Sequence, residues 1–294
     1  RYECPVCKNQ KEQPDEIISR TKTKTYRRCS TCGIIYMSWS SEPETTYEKQ
    51  YFSEQYKKQY GKTYLEDFDF IKKNSVHRVM EINSALRIAN DYKPSVLDIG
   101  CAYGPFLSAA NDMGWQVFGT DIAKDAIEYV QSKLLFPAVC ANFPEFNAGT
   151  EFGINKFDAV TMWFVIEHFS NLKEVLSYVS NILKEGGVFA FSTPSGSGVS
   201  ARYNRKSFFE SSPSDHYTIW EPEKVSKILK KFGFSVVKIV STGHHPERFP
   251  IVVNNGWTSK EFKFKIFDKI SKTLNLGDTF EVYCRKDKTQ GEEK

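Results

Sequence analysis

Val96-Leu97-Asp98-Ile99-Gly100-Cys101-Ala102-Tyr103-Gly104 runs directly into Pro105-Phe106-Leu107-Ser108-Ala109-Ala110. A short apolar run ends in an acid, a glycine-containing turn follows, and an apolar helical stretch begins at a proline. Proline is at home in the first turn of a helix, where its missing N–H costs nothing. The stretch reads as strand, tight loop and helix, the ligand-facing corner of a doubly wound sheet. Glycines there accept unusual backbone angles and let the main chain approach a ligand. No Lys-Ser/Thr pair follows them, so this is not a P-loop. The Gly-x-Gly-x-x-Gly dinucleotide pattern is also missing.

Downstream, Trp115-Gln116-Val117-Phe118-Gly119-Thr120-Asp121 reads as the next strand, with its acid 23 residues after Asp98. A carboxylate at that strand end can accept hydrogen bonds from both hydroxyls of a ribose. It can also simply cap a helix over Ala123–Gln131. The glycine loop upstream favours the ribose. Alternation of strand and helix then continues. Strands are expected near 95–99, 115–120, 137–141, 157–163, 188–193, 235–240 and 278–284. Helices are expected at Asn171–Leu183 and Glu223–Phe232. This pattern implies a mostly parallel sheet with one antiparallel edge strand. The segment 241–277 carries Phe249, Trp257, Phe262, Phe264 and Phe267 and is expected to add one or two helices.

With both acids and the loop in place, the sequence resembles the class I S-adenosylmethionine-dependent methyltransferases over roughly residues 75 to 240. The resemblance implies an α/β, doubly wound, seven-stranded Rossmann-like sheet with S-adenosylmethionine as cofactor. It implies cofactor contacts from Asp98, Gly100, Cys101, Ala102 and Gly104, with Ala102 where the family often has a third glycine. Asp121-Ile122 matches the ribose acid and its apolar neighbour. Asn142 and Phe143 match the stretch that meets the adenine edge, with Asn in the usual place of Asp. Phe157 to His168 matches the fourth strand and its turn, and puts Trp163 at the cofactor.

Outside that core, Cys4-Pro5-Val6-Cys7 and Cys29-Ser30-Thr31-Cys32 form two Cys-x2-Cys knuckles separated by 21 residues. Four thiolates so spaced can close a tetrahedral zinc site. The first 40 residues therefore read as a zinc ribbon, too small to hold a core without its metal. The plain expectation is a structural zinc. A redox role would need a βαβ context that is absent. Cys101, Cys140 and Cys284 are expected to be core thiols. Residues 41–92 read as a helical linker. Tyr47, Tyr51, Phe52, Tyr56, Tyr60, Tyr64 and Phe68 place an aromatic face on it, either packing the ribbon against the main domain or closing as a lid. A helix is expected at Ile71–Asp91, and the third part, 93–294, is the cofactor domain.

Two places carry candidate chemistry. His168, just past the fourth strand, is a general base or acceptor-orienting group, or a structural histidine capping the next helix. Asp215-His216-Tyr217 lies in the long loop 195–219, whose composition suits a mobile substrate loop; His216 and Tyr217 either face the acceptor or anchor that loop.

Composition narrows the function. The 40 basic and 36 acidic residues are interspersed, leaving a net charge of +4. No apolar run approaches the ~18 residues of a membrane span, so no membrane partner is expected. Seven cysteines argue against a fully paired disulfide framework, and no secretory signal is visible. These point to the cytoplasm. The layout is similar to methyltransferases acting on nucleotide-linked sugars or other polysaccharide and secondary-metabolite precursors. The sugar C-methyltransferases of that type share the knuckles but add a large carboxyl-terminal domain not seen here, which turns the expectation to O- or N-methylation. Quinone methyltransferases resemble the core but lack the ribbon. The expected partner is a small-molecule acceptor. The competing reading is an RNA methyltransferase whose ribbon grips nucleic acid, against which the bases form no phosphate track. The oligomeric state is left open.

Overall fold

The structure, a computed structural model, describes residues 3–8, 14–21, 24–39, 56–57, 61–87 and 92–288. Of the aromatic segment, Tyr47, Tyr51, Phe52 and Tyr60 lie outside the described residues. Three strands begin the chain: β1 (Glu16–Arg20), β2 (Thr25–Arg28) and β3 (Ile35–Ser38). Helix α1 (Phe68–Leu86) follows, closed by Arg87 in the left-handed region, and residues 88–91 of the expected helix lie outside the described residues. It buries Ser75, Val79, Ile82 and Ala85, one stripe at helical spacing.

The alternating region runs β4 (Ser95–Ile99), α2 (Pro105–Asp112), β5 (Gln116–Asp121), α3 (Lys124–Tyr129), β6 (Ala138–Cys140), α4 (Ala148–Phe152), β7 (Phe157–Trp163), α5 (Leu172–Ile182) and β8 (Leu183–Pro194). After it come α6 (Val199–Tyr203), α7 (Arg205–Ser211), β9 (Thr218–Ile219), α8 (Pro222–Leu229), β10 (Phe234–Thr242), α9 (Pro250–Asn255), α10 (Phe262–Thr273) and β11 (Thr279–Lys286).

Seven strands form the main sheet in the order β10-β11-β8-β7-β4-β5-β6. The central pairs β8-β7, β7-β4, β4-β5 and β5-β6 are all parallel. Strand β11 is antiparallel to both neighbours. It is the expected antiparallel strand, but it is not an edge: β10 lies outside it. The reason is that β10 and β11 pair as an antiparallel hairpin whose returning strand, not its first, adds to β8.

Both faces of the central strands β4, β5, β7, β8 and β11 are covered, which explains why they read as largely apolar runs, whereas the edge strands β10 and β6 are partly open. Side chains alternate across the sheet. Leu97, Ile99, Phe118, Phe189 and Phe191 join one core with Val175, Val179 and Ile228. Val96, Val117, Val188 and Ala190 join the other with Val79, Ile82 and Leu107. Each fully buried Leu, Val or Phe contributes about 1.5–3 kcal/mol. The two layers thereby fix the register that brings the carboxyl ends of β4, β5 and β7 together.

Three further expectations are corrected. Where a helix to Leu183 and a strand from 188 were expected, β8 already pairs with β7 at Leu183–Phe157, and Lys184–Gly187 bulge before pairing resumes at Val188–Ala159. Gly186 takes φ +73° in that bulge. The loop 195–219 is not loose coil, since it holds α6, α7 and β9. Cys140 is exposed, at the end of β6, whereas Cys101 and Cys284 are buried.

Strand β9 is too short to be seen by pattern. It pairs with β3, Ile35 to Ile219 and Tyr36 to Thr218, so the amino-terminal sheet becomes four-stranded, β1-β2-β3-β9.

Candidate active site

The loop after β4 turns on three left-handed residues, Gly100 (φ +72°), Ala102 (φ +47°) and Gly104 (φ +80°). A Cβ on Gly100 would stand 2.4 Å from Val165 Cγ2, so the turn after β7 approaches too closely for a side chain. Gly104 then caps α2, with Pro105 at its first position. Asp121 ties this loop to the next: its Oδ2 accepts from the Ala102 N–H and its Oδ1 from the Ala123 N–H, both at 2.9 Å. Asp121 thus braces the backbone just ahead of α3, whose N-cap, Ala123, carries no side-chain cap hydrogen bond. Each oxygen takes one backbone N–H and keeps a lone pair for a ribose hydroxyl. Burial pushes this carboxyl up, against the pull of those N–H groups.

Asp98 is also buried, and its Oδ1 accepts from Thr161 Oγ1 at 2.6 Å. Burial pushes its carboxyl up to about 7, with the Thr161 bond and the Arg78 charge opposing. Ile122 stands half-exposed beside Asp121, and Cys101 and Ala102 are buried in the turn. Asn142 is exposed just beyond β6. Phe143 packs against Phe146, Phe169 and Tyr178, which commits its ring to the core.

Trp163 closes the far wall. It packs on Phe106 at 5.3 Å, and its buried Nε1–H has no partner among the described residues. The Thr120 hydroxyl at the end of β5 is likewise orphaned. Buried donors without partners are uncommon and point to a ligand that supplies them. The Arg78 guanidinium lies 4.3 Å above the Trp163 ring while its Nε donates to Glu281 Oε1 at 2.7 Å. Tyr64 comes down on the other side, 5.8 Å from Tyr103 in the loop. Its hydroxyl is pushed well up by burial and by the Asp98 and Asp121 carboxylates.

Beside this cradle, a 3-10 turn over Ile166–His168 carries the second group of residues. His168 Nδ1 lies 3.2 Å from Asp215 Oδ2, and its ring meets the His216 ring edge-on at 4.8 Å. Burial alone would lower His168, but the Asp215 hydrogen bond and the carboxylates of Glu167 and Asp215 outweigh it and raise it. Burial and the neighbouring His168 push His216 down to about 3. Glu167 is fully buried, with its carboxyl pushed up to about 7 by that burial. Glu167 Oε2 has no partner among the described residues, and one ligand atom from each of Glu167, His168 and His216 lies within 4.8 Å of the others. Two titratable rings in contact are therefore driven apart, one toward the charged form and one held neutral.

Tyr217 is pinned from both sides. Its N–H donates to Glu167 O at 2.8 Å, its carbonyl accepts from Met37 N–H at 2.9 Å, and its ring tilts against Trp39 at 5.1 Å. Met37 and Trp39 belong to the ribbon, so a continuous hydrogen-bonded path joins the ribbon to the turn after β7. The ribbon grips the same loop elsewhere: Tyr26 packs on Phe209 at 5.1 Å, and Arg28 makes a two-pronged contact with Glu221.

Cys4, Cys7, Cys29 and Cys32 are all buried, with their sulfurs within 4.8 Å of one another. Cys4 Sγ and Cys32 Sγ are 3.7 Å apart. Metal–sulfur bonds of about 2.3 Å at a tetrahedral angle would place sulfurs about 3.8 Å apart, so the set fits zinc. The Cys7 N–H points at Cys4 Sγ, 3.5 Å away, and Lys231 Nζ reaches Cys7 Sγ at 3.1 Å.

His168, His216 and Tyr217 thus come together, as do the loop residues and Asp121. Glu167 and Asp215 lie in the motifs that sequence reading singled out, yet their roles appear only with the fold. Arg78, Thr161 and Glu281 carry no local signal: each is an ordinary helix or strand residue until the sheet assembles.

Residues 73–239 match the methyltransferase domain family. Over 183 residues the chain is 27% identical to an uncharacterised protein of Methanocaldococcus jannaschii, a match covering 62% of this chain and 65% of that one. It therefore spans less than two thirds of that relative's length. The ubiquinone biosynthesis O-methyltransferase of Burkholderia pseudomallei is 24% identical over 162 residues, covering 51% of this chain and 68% of that one. Among solved structures, a SAM-dependent methyltransferase from Archaeoglobus fulgidus superposes with a TM-score of 0.54 at 19% identity, covering 80% of this chain and 100% of that one. A plantazolicin methyltransferase, solved with a desmethyl analogue and SAH, gives 0.53 at 13% identity, covering 82% and 93%. These two share the fold.

Proposed function

We propose that this chain, which belongs to the methyltransferase domain family, methylates a hydroxyl of a small acceptor bearing a phosphate or diphosphate, with a nucleotide-linked sugar as the favoured example. When bound, S-adenosylmethionine supplies a methyl on a cationic sulfur that is already a good leaving group. Asp121 and Ile122 would hold the ribose and adenine, with Asn142 at the rim. Asp98, Gly100, Cys101, Ala102, Gly104 and Trp163 would hold the rest.

The observation that carries the reaction type is the His168–His216 contact. His216 stays neutral at physiological pH and has a lone pair to receive the acceptor's proton. As a base it is weak until Glu167 ionises beside it, and that negative charge raises its proton affinity. Asp215 holds His168, and Tyr217 fixes the loop that presents His216. Much of the remaining rate enhancement comes from holding acceptor and methyl in line.

The acceptor class rests on a cavity of about 520 Å³ between ribbon and loop, lined by Arg28, Arg202, Arg205, Tyr203 and Phe209 together with the acids Glu221 and Glu223, which leave it one positive charge in excess. Arg28 is neutralised by Glu221, while Arg202 and Arg205 carry no ion pair among the described residues. Two guanidiniums beside aromatic rings suit a phosphate-bearing ring compound. Against RNA, the ribbon's Arg28 is already spent on Glu221. Zinc in the four-cysteine set would be structural, and the chain divides as ribbon 1–40, linker 41–92 and cofactor domain 93–294.

The test is His216→Ala, which is expected to lower kcat by about 10²–10⁴-fold while the cofactor Kd stays unchanged. Turnover equal to the parent with the true acceptor would remove His216 from the reaction.

A further inference from the structure

Helices α9 and α10 take no part in the cradle or the acceptor cluster. Their inner sides are satisfied: Val252 is buried with Phe249, Val199 and Leu276, and Phe264, Phe267 and Ile270 pack against them. Their outer sides are not. Phe262 is 78% exposed, Val253 60% and Ile266 42%, with Ile251 and Leu274 also open to solvent. Among these stand Lys260, Lys263, Lys265, Lys269 and Lys272, all exposed. Against Glu261 and Asp268 they give residues 250–274 a charge of +3, most of the chain's +4. Lys272 is paired with Asp268 at 2.6 Å, whereas Lys260, Lys265 and Lys269 carry no ion pair among the described residues.

Position on α10 adds to composition. Phe262 and Ile266 lie one turn apart, and Lys265 and Lys269 fall beside them at helical spacing. Apolar side chains flanked by lysines on one outward face suit the boundary of a charged bilayer. No helix of the described residues is long and apolar enough to cross a membrane, and a surface contact needs none.

We propose that the outer face of α9 and α10 docks onto bilayers of anionic phospholipid, with Phe262 and Ile266 entering the interface and the lysines meeting the headgroups. This goes beyond the expectation of no membrane partner, which rested on the missing span. It is independent of the acceptor's identity. An RNA track would use the lysines but leave Phe262, Val253 and Ile266 without a role. A second copy meeting the same face about a twofold axis would set +3 against +3.

The test is co-sedimentation of the full chain with phosphatidylcholine vesicles, with and without phosphatidylglycerol. Binding is expected only with phosphatidylglycerol, and added salt should release it. Lys265→Gln with Lys269→Gln should weaken partitioning about 25-fold, about five-fold per lysine. Phe262→Ser should weaken it by about ten-fold or more. Both variants should keep the parent's thermal transition and cofactor affinity, which separates lost docking from lost fold. Equal binding to neutral vesicles, binding to neither, or full binding by the lysine variant overturns the proposal. So does lysine-dependent retention of RNA without vesicle binding, or a dimer in light scattering that Phe262→Ser abolishes.

Discussion

Asp98 and Glu167 are buried carboxyls that hold their protons to about pH 7. Ordinary carboxyls release theirs near 4, so between about 4 and 7 the folded chain binds more protons than the unfolded one. Stability from these two groups is present at low pH and is lost as pH rises through 7. The cofactor-free protein should therefore melt lower at pH 8 than at pH 6, and Asp98→Asn should flatten that slope. If the cofactor's cationic group sits at Asp98, as proposed, it would favour the ionised form of that carboxyl. The cofactor Kd should then fall as pH rises through 7, with proton release visible by calorimetry in buffers of different ionisation enthalpy. An affinity independent of pH would mean that Asp98 does not face the cofactor. Turnover should rise through the same range as Glu167 ionises, and Glu167→Gln should remove that limb. Of these residues, Asp98 and Asp121 are legible in the sequence because a strand end and a glycine turn are local features. The opposed titration of His168 and His216 is not legible, because it arises from burial and from a contact between residues 48 positions apart.

At the scale of elements, the short pairing of β3 with β9 matters most. Tyr217 is bonded to Met37 on one side and to Glu167 on the other, so the four-cysteine ribbon and the His168–His216 cluster share one hydrogen-bonded frame. Chelation, or Cys29→Ser, should loosen the ribbon and lower turnover or raise the acceptor KM by tenfold or more, on the order of the 1–3 kcal/mol that unmade buried bonds cost. The cofactor Kd should stay within about two-fold, since no cradle residue lies on that frame. Equal loss of cofactor binding would show that the ribbon supports the whole domain instead. The sequence announces both knuckles but not their coupling to the loop. Two residues of strand are below the length at which alternation can be read. The bulge at Lys184–Gly187 is hidden for another reason: Leu-Lys-Glu suits a helix end, and only pairing with Phe157 draws it into the sheet.

For the whole molecule, the doubly wound sheet was legible because its central strands are buried on both faces and so stand out as apolar runs between helices. The placement of β11 inside β10 is set by which strand of the β10–β11 hairpin pairs with β8, and no local pattern encodes it. The insertion 241–277 gives the molecule a basic, apolar outer face remote in role from the cradle. The proposal for the whole molecule is methyl transfer to a small phosphate-bearing acceptor, and it rests on the cradle, on the His168–His216 contact and, separately, on the ribbon-side cavity. The most direct measurement incubates the protein with methyl-tritiated S-adenosylmethionine and a fractionated cell extract, beside an Asp121→Ala control. Label is expected in small molecules that phosphodiesterase cleaves and ribonuclease leaves intact, and none with the control. Label released by ribonuclease, or a parent protein that fails to bind the cofactor, would contradict the proposal.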